Sequence, residues 1–291
     1  MSGALTTSPI QQYLSYSADE PKFAGNYALT SAQETNLTGY FQAHAASITS
    51  PAALLGDYKA LSVVLGSFGI GNLLGSTALI KQLLTQDPSS RGSTAYRIGN
   101  AKYLAFAHAL HNWTPPPFGT KAGVNAIVKA YQLNGFEASV SSTGQSINAT
   151  SATAQDNGLQ QALYFTRNAG AITSYTQLQS DPELLAVAVA GAGIPLNAYD
   201  NLSYEQQTAL LKQKLPLANL KTPAKVQRLA EQFIVLQQLA NGPSTAAPLA
   251  GSLLNAFAAT DTSANSLLTI LGAGSNAGTA ATPNPLLSLF A

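Results

Sequence analysis

The chain contains no cysteine. That absence excludes disulfides, thiolate metal sites and thiol nucleophiles together. It also suits a polypeptide that must stay unfolded in a narrow export channel, where accidental crosslinks would block passage. Charge is scarce as well. The 14 Lys and Arg and 13 Asp and Glu make up 9% of the 291 residues and nearly cancel, to a formal +1, where an ordinary soluble protein carries about 25% charged residues. No basic block exceeds a pair, so the chain offers no surface for neutralising phosphates, and nucleic acid is not expected as a partner.

A secretory signal is missing too. The first residues, MSGALTTSPIQQYLSYSADEPKF, lack a positive segment followed by an apolar one, which leaves the cytoplasm or export without a cleavable signal. The longest uncharged run tested as a membrane span is Leu61 to Ile80. Four glycines, several hydroxyl side chains and Asn72 interrupt it, so no span is expected.

What is present is a hydrophobic content of 46%, enough for one large core or two small ones, and an internal repeat. Tyr40 to Ile70 and Tyr164 to Ile194 align without a gap at an offset of 124 and agree at 12 of 31 positions. The shared residues are the Tyr-Phe pair, Ala45/Ala169, the Ile-Thr-Ser block, Leu54/Leu178, Asp57/Asp181, Leu61/Leu185, Val63/Val187 and the closing Gly-Ile. Most are packing or capping residues, and one titratable group recurs.

The apolar spacing predicts an all-α fold of two similar multi-helix units. Residues 1–28 show no sustained period and read as a flexible leader. The first unit covers 29–113. It opens with a helix capped by Ser31, with Glu34 at capping-box spacing. Ser50-Pro51 and Asp57 start the next two helices; the second runs from Tyr58 to Phe68 and stops at Gly69-Ile70-Gly71. Ser76 to Gln86 follows, then one helix from Thr94 to His111 with Arg97 and Lys102 on its outer side. Residues 114–122, with three prolines, form a linker. The second unit covers 123–241. In it Asp181-Pro182-Glu183 repeats the role of Asp57, Ser203 to Leu215 parallels Ser76 to Leu84, and the helix from Pro223 to Leu239 parallels Thr94 to Leu110.

Residues 242–291 carry one charge, Asp261, and three apolar clusters: Leu249, Leu253, Leu254 and Phe257; Leu267, Leu268 and Leu271; Leu286, Leu287 and Phe290. Spaced clusters in a charge-poor tail read as conditional helices that fold against a partner, and these residues are the expected partner-binding set.

Candidate chemistry is thin. His108 and His111 are three apart on an expected helix, but a metal needs a third ligand and only His44 is left, so they read as surface or helix-end residues. Asp57 and Asp181 form a conceivable acid/base pair, yet their place before helical runs favours capping. Arg167 and Lys59 have no partner that the sequence identifies. The glycines at 66, 69 and 71 fall at a helix end rather than after a strand, which removes a dinucleotide-binding context. No enzyme, cofactor or metal is expected.

The segments YFQAHAASITSPAALLGDYKALSVVLGSFGI, ALIKQLLTQDP and RIGNAKYLAFAHAL, with ALYFTRNAGAITSYTQLQSDPELLAVAVAGAGIP and QQTALLKQKL of the second half, resemble a family of alphaproteobacterial proteins catalogued as a domain of unknown function and commonly encoded in flagellar gene clusters. The resemblance covers roughly residues 28 to 240. It implies an all-helical, flagellum-associated protein and brings no catalytic residues. The serine- and threonine-rich segment 141–153, the triproline linker and the long uncharged tail are not general features of that family. With the low charge and the apolar tail, the expectation is a non-enzymatic structural or assembly component of the flagellum, contacting other flagellar proteins or itself. The alternative is a cytoplasmic export chaperone or regulatory adaptor holding a partner helix between the two repeats.

Overall fold

The computed structural model describes residues 8–141 and 158–240. All regular structure among them is helical, with fifteen α-helices, short 3-10 turns and no strand.

The expected leader is instead two helices, α1 (Pro9–Ala18) and α2 (Glu20–Thr30). Ser8 and Gln11 cap α1 reciprocally, and Asp19 accepts from the Lys22 amide to start α2. Their apolar stripe is thin (Ile10, Tyr13, Ala24 and Ala28), which is why no period stands out in the sequence. It becomes a stripe only against the second half of the chain: Tyr13 is fully buried there and its hydroxyl lies 2.8 Å from Thr166 Oγ1.

Helix α3 (Ala32–His44) begins at Ser31, which accepts from the Glu34 amide as expected. α4 (Pro51–Gly56) and α5 (Tyr58–Ser67) are capped by Ser50 and Asp57. After α5, Gly69 takes φ 66, its amide bonds Gly66 O, and the Ile70 amide bonds Leu65 O at 3.0 Å. This pair of bonds satisfies the carbonyls that a helix end leaves open, with glycine supplying the left-handed residue. The uncharged run 61–80 is therefore broken between α5 and α6 (Thr77–Thr85). No described helix is long and apolar enough to cross a membrane.

The single helix expected over Thr94 to His111 is two, α7 (Thr94–Ile98) and α8 (Ala101–Leu110). Gly99 turns the chain at φ 69, and Asn100 restarts it by accepting from the Lys102 and Tyr103 amides. A Gly-Asn pair performs a C-cap and an N-cap in two residues.

The expected linker is not a boundary between two bodies. Phe118 is buried in the first core, and α9 (Lys121–Ser141), about 30 Å long at 1.5 Å per residue, serves both cores. Val124 and Val128 pack with Phe41, Leu54, Val63 and Phe106, whereas Leu133 and Phe136 pack with Phe165, Val187 and Phe233.

The second half runs α10 (Leu159–Asn168), α11 (Tyr175–Gln179), α12 (Pro182–Gly191), α13 (Leu196–Asp200), α14 (Tyr204–Lys214) and α15 (Pro223–Ala240). Asp181 caps α12 through the Glu183 and Leu184 amides. α12 ends as α5 does: Gly193 has φ 73, and the Ile194 amide bonds Val189 O at 3.0 Å.

One equivalence expected from the sequence changes. α15 lies across α12 and α10 in the way α9 lies across α5 and α3, so by packing its counterpart is α9 rather than 94–110. Both crossings depend on a small residue. A Cβ at Gly66 would meet the Tyr131 ring at 2.6 Å, and one at Gly191 would meet Leu229 O at 2.5 Å. The tail clusters from Leu249 to Phe290 lie outside the described residues.

Candidate functional site

The groups with chemical potential gather on one turn of α9. Asn134, Gly135 and Glu137 face, in turn, the end of α5, the side of α3, and the junction of α2 with α10. Asn134 donates to Gly66 O and Ser67 O at 2.8 and 2.9 Å, covering the last carbonyls of α5, and accepts from Arg167 Nη2 at 2.8 Å. Arg167, on α10, also reaches Glu137 Oε1 with Nη2 at 2.7 Å and Nε at 3.2 Å. The partner that the sequence withheld from Arg167 is thus 30 residues away, on a helix shared by both cores.

Glu137 is 2% exposed and hydrogen-bonds the Glu20 carboxyl, itself 8% exposed. Two carboxyl oxygens bond each other only through a proton, so the contact lasts only while the pair holds one. Burial pushes both groups up, and Arg167 acts against that. The remaining Glu20 oxygen, Oε1, is buried and finds no donor among the described residues. Beside the pair an open cleft of about 410 Å³ is lined by residues that include Asp19, Lys129, Leu163, Thr166 and Arg167.

One turn away Glu34 leaves its capping-box role and lies beneath α9. Gly135 makes the room, since a Cβ there would meet Glu34 Oε1 at 2.6 Å. Glu34 is 7% exposed, its Oε2 finds no donor among the described residues, and burial raises its pKa to about 7. The folded chain thus keeps a proton that the unfolded chain releases near pH 4.5. Stability from this group is complete below that value, falls as pH rises to about 7, and is flat above. Glu34→Gln should flatten this window and stabilise the protein above pH 7 by on the order of 2 kcal/mol, after allowance for solvent reaching the group. Urea denaturation at a series of pH values checks it, and an unchanged slope would refute it.

The recurring Tyr and Asp residues form the same bond twice. Tyr40 donates to Asp57 Oδ2 at 3.1 Å and Tyr164 to Asp181 Oδ2 at 2.8 Å, while each aspartate caps its helix with Oδ1. Their surroundings differ. At the first, Lys59 lies 4.9 Å from the Tyr40 ring and His44 stacks on that ring at 4.0 Å. At the second, Asp181 is 2% exposed and the phenol of Tyr164 is pushed up by burial and by the aspartate. Here Lys102 reaches across from the first half, 4.6 Å from the Tyr164 ring and 2.9 Å from Glu183 Oε2, and the Ala101 amide bonds Ser180 O. Lys102, expected on an outer face, is a half-buried bolt between the halves.

His108 is exposed, and His111 Nδ1 is 3.0 Å from Ala107 O at the end of α8. Neither ring meets the other or His44 in any grouping suited to a metal among the described residues.

The sequence profile of a family described as a protein of unknown function, DUF1217, matches residues 67–226. The chain belongs to the DUF1217 family. The matched segment holds Asn134, Glu137, Tyr164, Arg167 and Asp181, whereas Glu20, Glu34 and Tyr40 precede it. The fold of this DUF1217 member is similar to that of an Agrobacterium tumefaciens protein solved by X-ray crystallography in a structural genomics programme. The TM-score is 0.66 at 19% identity, over 84% of this chain and 99% of that one. No curated protein matches the chain. Glu20 lacked any signal in the sequence beyond being one of only six glutamates in a chain poor in charge, and Glu34 stood out only by its capping-box spacing from Ser31.

Proposed function

We propose that the chain is a non-enzymatic structural or assembly component of the bacterial flagellum, acting through contacts with other flagellar proteins or with itself. The observation that carries this reading is how the scarce ionisable groups are used. Asp57 and Asp181 cap helices and anchor tyrosines, Arg167 and Glu137 tie α9 to α10, and Lys102 bolts the halves together. They go into scaffold rather than into an open constellation for chemistry. The resemblance to flagellar-cluster proteins and the apolar clusters of the tail supply the setting and the contact surface. Export without a cleavable signal fits the cysteine-free, charge-poor composition.

An export chaperone gripping a helix between the repeats would need that junction open. α9 and the Lys102 contact with Tyr164 occupy it, which favours the structural reading. Deleting the gene should abolish motility or filaments seen by electron microscopy, and the protein should appear in sheared or detergent-extracted flagellar bodies. Normal swimming with the protein confined to cytoplasm would sink the proposal.

A further inference from the structure

Helices α1 and α2 precede the first half in the sequence but pack into the core of the second. Their link to α3 is one extended residue, Ser31, at φ −90 and ψ 108. The docked face combines an aromatic cluster, in which the rings of Tyr16, Phe23 and Tyr27 surround Phe136 at 5.2 to 6.4 Å, with the buried Glu20 and Glu137 carboxyls. Glu20 sits in the first turn of α2 and Glu137 on the helix beneath it. A segment on a one-residue tether, seated over two acids that need a proton to lie together, has the parts of a latch.

We infer that residues 8–30 form a proton-held arm, docked on α9, α10 and α15 while Glu20 and Glu137 share a proton, and released about Ser31 when that proton leaves to solvent. On loss of the proton the hydrogen bond between the carboxyls is gone and two anions face one guanidinium. Arg167 pairs with Glu137, bonds Asn134 and lies over the Tyr164 ring, so the second charge falls on Glu20, whose Oε1 has no donor among the described residues. Swinging α2 outward hydrates Glu20 and leaves the Arg167 pair with Glu137 in place.

The other charged groups nearby do not supply the missing cation. Lys129 and Asp19 stand exposed at the cleft and oppose each other in sign, and Lys22 is on the solvent side of α2. Glu34 on α3 adds a further acid, and Glu231 on α15 accepts from Gln227 and lies near Arg228. The phenols of Tyr13, Tyr131 and Tyr164 are pushed up and stay neutral.

Hydrogen exchange of the full chain between about pH 6 and pH 8.5, in a Glu34→Gln background that removes the separate titration of Glu34 and corrected for intrinsic rates, tests this. Protection over residues 8–30 should fall by up to about tenfold per pH unit, the slope of one linked proton, while α12 and α15 keep theirs. In Glu20→Gln the amide donates to the Glu137 carboxylate without a titrating proton, so arm protection should become independent of pH. Glu137→Gln is the second variant, with its amide oxygen towards Arg167 and its NH2 towards Glu20, and should behave likewise. Arm protection that is flat with pH in the Glu34→Gln background, or a slope that persists there when either second substitution is added and the chain still folds, overturns the inference.

Discussion

Arg167→Leu should destabilise the protein by about 3–5 kcal/mol near pH 7, the cost of leaving a buried carboxylate without its partner. The guanidinium makes two hydrogen bonds to Glu137 and one to Asn134, which in turn covers the end of α5. Leucine keeps the apolar stem and removes all three. The loss has a signature that distinguishes electrostatics from packing: it should shrink towards pH 5, because the orphaned acid pair then takes a second proton and no longer needs the cation. Adding Glu137→Gln to the leucine variant should recover part of the loss, a coupling that a double-mutant cycle reads directly. Denaturation midpoints for the four proteins at two pH values decide it. A cost under about 1 kcal/mol at pH 7, or one that does not change with pH, would show that the ion pair is not what holds α9 to α10.

Tyr13→Ala should cost about 3–5 kcal/mol as well, the range for truncating a fully buried aromatic side chain. Tyr13 is wholly enclosed in the second core and its hydroxyl is bonded to Thr166. Its loss has a ceiling, however. Once α1 lets go, the cost cannot exceed the free energy with which the arm docks, so a second truncation at Ile10 should add less than it costs alone. Calorimetry or urea melts of the two single variants and the double variant measure that ceiling. Full additivity would mean that the arm does not undock as a unit.

Much of the local structure was legible in the residues. Ser31, Ser50, Asp57 and Asp181 all cap the helices expected of them, and the Gly-Ile pairs end α5 and α12 with the same two backbone bonds. These devices act over three to five residues, so their chemistry is complete within the sequence window that encodes them. Apart from the break at Gly99-Asn100, which is local, the misjudged places are those where a distant neighbour decides. α1 and α2 have too narrow an apolar stripe to declare themselves, and acquire one only from α9, α10 and α15. The prolines at 115–117 interrupt a helix, as proline must, but the apolar residues of α9 on their far side divide between two cores, which no local signal reports.

By itself, then, the sequence determined the helical class, the repeated capped segments and the shortage of charge, because these follow from periodicity, short-range hydrogen bonding and composition. Only the tertiary structure decided what the few charges do. Four of the six glutamates are buried, and the cation that pairs with Glu137, Arg167, lies on another helix at a separation of 30 residues. The recurring tyrosine and aspartate make the same bond in both halves, yet one copy stays near solvent under Lys59 while the other is sealed by Lys102 from across the molecule. Desolvation sets the proton affinity of a carboxyl, and desolvation is a property of everything packed around it rather than of the residues beside it in the chain.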